Sequence, residues 1–456
     1  MQLDLNIFRE YDIRGVYPTT VNEQVAYLIG RSYGSYLREK LNQNSCVVGH
    51  DNRLSSPSLC DALIKGITES GCNVIDYGLV TTPMHYYSRY LNYLYGIMIT
   101  ASHNPKDDNG FKFSFDHLAN ARGDMIREFR DYTVQAKFLS GNGSITRDNI
   151  TEKYIAYMKN NINLGARKRK VIIDCGNGTT SIIARKIHEK FNIDFEIIYE
   201  ESNGAFPNHH PDPSVESNLT ELKKKVIKER ADFGIAYDGD GDRVGIIDDE
   251  GKFVPADIYM ILIIRDLINK VNKKTFLYDV KCTKALEDEI TKMGGTPLIY
   301  RTGASYTQAK LKEDDLPFGG EYSGHIYFRD RDTDLGSGIY AGLRLIEIMS
   351  KNNYKLSDMI RTINKYSSTP EIKVQVPDTI KFQIIENMKN YCISQNWPVN
   401  DIDGIRVNFS NGWALVRASN TGPNITLRFE AIDKQTLVNL QTIFTNLLND
   451  NLKLYQ

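Results

Sequence analysis

Nothing in this sequence is apolar for long enough to cross a bilayer. The longest such stretch, "YMILII" at 259–264, falls well short of the ~20 residues that the hydrocarbon core requires. A basic start followed by an apolar segment is missing from "MQLDLNIFRE", so no export signal is read there and a cytoplasmic location without membrane contact is expected. Net charge is almost nil. The 56 Lys and Arg against 57 Asp and Glu leave no bulk field to hold nucleic acid, so any anion must be held by a local site. Paired cysteines are also wanting: Cys46, Cys60, Cys72, Cys175, Cys282 and Cys392 are scattered without a CxxC spacing and read as reduced core thiols.

A chain of 456 residues is too long for one core, and about three or four domains are expected. The pattern agrees. "VVGHD" (47–51), "VIIDC" (171–175) and "FLYDV" (276–280) each place apolar residues before an Asp and a helical stretch. A second strand follows each, near 73, 195 and 296. A third comes next: "YGIMIT" (95–100), "DFGIAYD" (232–238) and a shorter "FGGE" (318–321). One αβ module is written three times, with strands apolar enough to be covered by helices on both faces of mixed sheets. Residues 22–41 are the clearest helix. From about 368 the texture changes to alternating strands, with "DG" at 403–404 as a hairpin signal and a closing helix near 434–450, so a fourth domain of α+β type is expected. The divisions fall at 1–150, 151–255, 256–367 and 368–456.

The third strand of each copy runs into a polar loop: "TASHNP", "DGDGDR" and "GEYSGH". Ligands of open α/β sheets collect beyond the carboxyl ends of strands, so these loops are candidate walls of one cleft. Ser102 taken alone is either a nucleophile or a hydroxyl in a turn before Pro105. Asp238, Asp240 and Asp242, separated by glycines, repel one another unless a cation sits between them. A hard divalent ion such as Mg²⁺ suits them better than a solvated acidic turn. A calcium-hand loop counted from Asp238 fails, because position 12 is Asp249 and the glycine stands at position 4. Arg243 either meets a phosphate oxygen or holds these carboxylates.

Glu321, Ser323 and His325 offer donors and acceptors for a polyol such as a sugar ring. "VRASNTGP" supplies Arg417, Ser419, Asn420 and Thr421, a pocket suited to a phosphate dianion. Tyr11, Asp12 and Arg14 form either a loop ion pair or a substrate arm. "ARKRK" at 166–170 reads as a solvated lead into a strand, and His209–His210 as an interdomain structural loop rather than a metal site.

With "FREYDIRG", "TASHNP", "NGFK", "FPNHHPDP", "DGDGDR", "DVKCT", "GEYSGH" and "RASNTGP" in this order, the chain resembles the α-D-phosphohexomutase superfamily over essentially its whole length. The likeness is strongest to its bifunctional phosphomannomutase/phosphoglucomutase members. It implies four domains around a central cleft and a phosphoserine at Ser102. One Mg²⁺ would be held by Ser102, Asp238, Asp240 and Asp242. The implied reaction interconverts mannose or glucose 1- and 6-phosphates through a hexose 1,6-bisphosphate, which serves as intermediate and activator.

By the same resemblance Arg14, Lys112, His103 and His325 assist charge and proton movement at Ser102. Tyr11, Arg243 and Arg301 line the substrate pocket. Glu321, Tyr322, Ser323, Gly324 and His325 meet the sugar, while Arg417, Ser419, Asn420 and Thr421 grip the phosphate that is not reacting. The only partners implied are small hexose phosphates, without nucleic acid, membrane or protein. One residue departs from the pattern: Ala304 in "RTGAS" stands where close relatives keep an active-site histidine, and loss of an acid or base commonly costs about 10²- to 10⁴-fold. A low-activity variant or a sugar-phosphate-binding protein is therefore the competing expectation. A phosphoserine hydrolase is a third, weakened because it has no need of a second phosphate grip. Gly422, in place of a glutamate found in many superfamily members, is a minor departure.

Overall fold

Three of the four sheets share one strand order. The computed structural model describes residues 3–419 and 422–455, and in each of the first three units the first strand of the repeat is central. Ser45–His50, Lys170–Asp174 and Thr275–Asp279 each lie between a second and a third strand, both parallel to it. A fourth strand then returns antiparallel beside the third: Asp108–Phe113, Val244–Ile247 and Ile326–Phe328. The return strand turns the polar loop before it into a tight bend at the carboxyl edge. The central strands are buried because helices cover both faces, which is why they read as continuous apolar runs.

The helix expected at 22–41 spans Glu23–Lys40, with the Asn22 side chain accepting from Val25 N–H at 3.0 Å as its N-cap. It lies against Ser56–Glu69 at backbone contact distance. A Cβ on Gly30 would stand 2.2 Å from Leu63 O, and one on Gly66 2.2 Å from Tyr27 O.

Five antiparallel-paired strands plus Ile372–Gln375 form the fourth sheet, backed by helices Lys381–Ser394 and Lys434–Lys453. The first of these helices was not legible in the sequence pattern. Its apolar core is separate, whereas the second and third units share one core into which Met84 and Tyr87 of the first also pack. Among the described residues the apolar contact between the fourth unit and the third is the small cluster Val280, Trp413 and Leu415. Among the described residues no helix is long and apolar enough to cross a membrane.

Two loops differ in character from each other. Arg169 of "ARKRK" is not a solvated residue: it pairs with Asp232 at 2.7 Å and donates to Met349 O at 2.9 Å, clasping the second unit to the third. The His209 loop is structural, with Nε2 3.2 Å from Asp174 and Gly204 packed against the Asn52–Leu54 backbone of the first unit. All six cysteines are unpaired and buried.

Candidate active site

The loop after strand Gly96–Ile99 puts Ser102 in the left-handed region (φ 52), a conformation that costs a non-glycine residue on the order of 1 kcal/mol. It is held there from both sides. Its N–H donates to Thr100 Oγ1 at 2.8 Å, and its carbonyl accepts from Arg53 Nη2 at 2.8 Å. Beneath it runs the loop after Phe233–Tyr237. A Cβ on Gly239 would stand 2.5 Å from Ser102 O, so the first glycine of "DGDGD" is what lets the two loops touch. Ser102 Oγ consequently donates to Asp238 Oδ2 at 2.9 Å.

Asp238, Asp240 and Asp242 bring carboxylate oxygens within 4.8 Å of one another, all buried. Lys112 Nζ, on the return strand, donates to Asp240 at 2.8 Å and to Asp242 at 2.6 Å. Thr82 Oγ1 adds a bond to Asp240 at 2.7 Å, and the N–H groups of Gly241 and Arg243 donate to Asp238, each at 3.0 Å. Burial, then the charges of Asp242 and Asp240, push the Asp238 carboxyl well up. Burial also opposes ionisation of Asp240, but Lys112 and Thr82 outweigh it and hold that carboxyl below its usual range. For Lys112 burial is likewise outweighed, by Asp240 and Asp242, and its pKa is raised.

Two oxygens, Asp240 Oδ1 and Asp242 Oδ1, are buried with no hydrogen-bond partner among the described residues. Unpaired buried carboxylate oxygen is costly, and two such oxygens among three carboxylates that converge beside a serine hydroxyl suit a small dication with oxygen ligands. The residues fit Mg²⁺.

Arg14 closes one side of Ser102, donating to Asp12 at 2.7 Å, Asn104 Oδ1 at 2.7 Å and Ala101 O at 3.0 Å. His103 Nδ1 is 3.3 Å from Ser102 Oγ. Burial, Arg243 and Arg14 keep its pKa well below the ordinary value, so the ring is neutral. Arg243 Nε stands 4.0 Å from Asp238 and 3.9 Å from Asp242, buried and without a hydrogen-bond partner among the described residues, so it is not consumed by the triad.

Across the cleft, Gly324 (φ 86) lets the "GEYSGH" loop dock on the second unit, where Val244 N–H donates to Gly324 O at 3.0 Å. Glu321 accepts from Gly303 N–H at 2.6 Å. Burial, and then the charge of Asp279, lift its pKa to about 7. His325 stacks on Tyr327 at 4.5 Å, and burial lowers it to about 4. Arg428 lies over the Tyr322 ring at 3.6 Å. Ser323 and Ala304 line the wall, and the Ala304 carbonyl accepts from Tyr327 OH at 3.3 Å. From the fourth unit, Arg417 Nε donates to Asp403 at 2.9 Å. The Ser419 carbonyl accepts from Lys381 Nζ at 2.6 Å. Asn420 and Thr421, assigned to the phosphate grip, lie outside the described residues. One cavity of about 720 Å³ is lined by Tyr11, Arg14, Ser102, His103, Lys112, Asp242, Arg243, Glu321, Tyr322, Ser323, His325, Arg417 and Ser419 together.

Four family models match the chain in series. They describe phosphoglucomutase/phosphomannomutase alpha/beta/alpha domain I (residues 5–139), domain II (152–251), domain III (255–366) and the C-terminal domain (371–447). The chain belongs to the phosphoglucomutase/phosphomannomutase family. It is 42% identical over 443 residues to a phosphomannomutase/phosphoglucomutase of Pseudomonas syringae pv. tomato, covering 96% of this chain and 94% of that protein. Its counterpart in Pseudomonas aeruginosa is 40% identical, covering 98% and 96%. A solved phosphoglucomutase/phosphomannomutase family protein from Burkholderia thailandensis superposes with a TM-score of 0.91 at 34% identity, covering 99% of this chain and 98% of that one.

For this family member the fold leaves two expected cleft residues outside, Gly324, which packs on Val244, and Arg301. Arg301 does not line the cavity: its guanidinium lies over the Tyr306 ring at 3.8 Å and faces Glu10 at 3.5 Å. Three residues that do matter escaped the sequence reading. Lys281, in the cavity wall, pairs with Glu371 at 3.0 Å across the junction to the fourth domain. Asp403 accepts from both Arg417 and Thr302 N–H (3.0 Å), tying the phosphate loop to the segment that carries Ala304. Lys381 fixes the backbone of Ser419 and Gly422. "DVKCT" was the only available signal, since Lys281 follows a strand end as the other cleft loops do.

Proposed function

We propose that the protein is a phosphohexomutase that interconverts the 1- and 6-phosphates of mannose and glucose in the cytoplasm, with domains at 1–150, 151–255, 256–367 and 368–456. The observation that carries this reading is Ser102 Oγ, 2.9 Å from Asp238 in a strained turn, in a cavity that Arg14, Lys112, Arg243 and Arg417 also line. A phosphoryl group on Ser102 would sit between Lys112, Arg14 and Arg243, where positioning and charge do most of the work of transfer. Mg²⁺ held by Asp238, Asp240, Asp242 and the seryl phosphate would supply further charge stabilisation.

Arg417, Ser419, Asn420 and Thr421 hold the phosphate of a hexose 1-phosphate, and Glu321 and Ser323 orient the ring hydroxyls. The 6-hydroxyl oxygen forms a bond to phosphorus as the phosphorus–Ser102 bond breaks. Its proton passes to a neutral base in the cleft, a role given to His325 or His103, and Ser102 Oγ takes up a proton from the cleft to leave as the hydroxyl. The 1,6-bisphosphate then turns, and the same bond changes run in reverse with the 1-phosphate. Two phosphate positions in one cavity favour this over hydrolysis, and a full set of cations at Ser102 favours it over simple binding despite Ala304.

The test is conversion of mannose 1-phosphate and glucose 1-phosphate to their 6-phosphates by the wild type and by Ser102→Ala. Turnover that needs Ser102 and releases no inorganic phosphate is expected. Stoichiometric phosphate release would establish a hydrolase instead, and binding without turnover by the wild type would establish a binding protein.

A further inference from the structure

Tyr86 lines the cavity from helix Thr82–Asn92, yet neither the repeat nor the polar loops point to it. Its hydrogen bonding is decided by a residue two steps away. Arg89 Nη1 donates to Asn120 Oδ1 at 2.6 Å, and a guanidinium has no acceptor, so the Asn120 amide can be turned only one way. Asn120 Nδ2 therefore faces Tyr86 and donates to its phenol oxygen. With the oxygen accepting from Asn120, the phenol proton must go elsewhere, and no described residue takes it. Tyr86 is buried except where it meets the cavity, and Arg89 also lies 5.3 Å from its ring centroid, which fixes the ring. The other charges that act on this phenol are Lys112 and Asp242, members of the Ser102 site.

We infer that Tyr86 is a hydrogen-bond donor to an anionic phosphoryl oxygen bound beside Lys112, with Asn120 and Arg89 as positioning residues that aim its proton into the cleft. This rests on the mutase reading above. A buried hydroxyl that can only donate is satisfied when an acceptor arrives and is left with an unspent proton when it leaves. Neutral hexose hydroxyls are poorer acceptors than a phosphate dianion, and the adjoining Lys112 favours the anion. The oxygen could belong to the seryl phosphate or to the substrate's own phosphate, and the two are separable by experiment.

Tyr86→Phe keeps the ring and its packing on Arg89 and deletes the donor, together with the oxygen that accepts from Asn120. Asn120→Asp offers an acceptor where the amide donated, so the phenol proton turns away from the cavity while the Arg89 bond is kept. Both variants are expected to lose roughly 10- to 100-fold in kcat/KM, the size of one hydrogen bond to a charged group, and Tyr86→Phe to melt somewhat below the wild type because the buried Asn120 amide loses its acceptor. Their combination should lose no more than either alone. A fall in kcat with faster loss of the phosphoryl group from Ser102, followed by intact mass, identifies the seryl phosphate as the acceptor. A rise in KM for the hexose phosphates with kcat retained identifies the substrate's phosphate. Tyr86→Phe turning over within twofold of the wild type on both sugars overturns the inference. A wild type that turns over neither sugar would instead overturn the mutase reading on which it rests.

Discussion

Glu321→Gln should make the protein more stable and less active, and only above a definite pH. The buried carboxyl has its pKa raised from an ordinary 4.5 to about 7, by burial and by the charge of Asp279. Between those two values the folded chain keeps a proton that the unfolded chain has released. Stability contributed at this position is therefore fully present below 4.5 and is lost as pH rises through 7. At ~1.4 kcal/mol for each tenfold change in proton affinity, the cost of ionising Glu321 in the fold is about 3 kcal/mol above pH 7. Glutamine has the same shape, retains the bond from Gly303 N–H at 2.6 Å and carries no such cost.

The second and third units share one core, so the gain should appear as a rise of roughly 5–10 °C in their melting transition at pH 8, absent at pH 4.5. Over the same range the wild type should gain kcat/KM as pH rises through about 7, because the carboxylate accepts from sugar hydroxyls more strongly than the acid does. The variant should lack that inflection. The measurements are calorimetric scans and initial rates for both proteins at half-unit intervals of pH. A melting difference that stays constant from pH 4.5 to 8 would refute the assignment of an ionisation near 7 to Glu321.

The remaining predictions concern the other walls of the cleft. Lys112→Met removes the cation bonded at 2.8 and 2.6 Å to Asp240 and Asp242, so Mg²⁺ should bind at least roughly tenfold more tightly by titration calorimetry while turnover falls about 10²-fold or more. Weaker Mg²⁺ binding would contradict the role given to the lysine. Asp403→Asn leaves Arg417 without its charged partner and should raise KM for hexose phosphates by about tenfold with kcat nearly unchanged. A loss confined to kcat would place Asp403 elsewhere in the cycle. Ala304→His should change kcat by less than tenfold, since the 302–304 segment is engaged through its backbone: Thr302 N–H to Asp403, Gly303 N–H to Glu321 and the Ala304 carbonyl to Tyr327 OH. A gain near 10²-fold would instead show that position 304 wants an acid or base.

The threefold αβ repeat was readable in the chain because strands covered on both faces must be apolar throughout, and the loops beyond them must be polar. That periodicity alone places Ser102, the Asp238–Asp242 triplet and Glu321–His325 at equivalent ends of three sheets. The glycines of "DGDGD" were legible as flexibility. What they permit, the approach of one loop to within bonding distance of Ser102 in another, required both domains to be in place. Contacts between units leave no periodic trace, because each depends on one side chain at the end of an element. Lys281 with Glu371, Asp403 with Arg417 and Thr302, and Arg169 with Asp232 and Met349 O were invisible for this reason. The same limit explains Arg301, which stands in a cleft motif by sequence but turns to the Tyr306 ring and Glu10. Local pattern specified which chemistry each loop carries. Packing of one unit against the next settled which of those groups meet, while contacts inside the first unit, Arg89 to Asn120 and Asn120 to Tyr86, set which way Tyr86 points its proton.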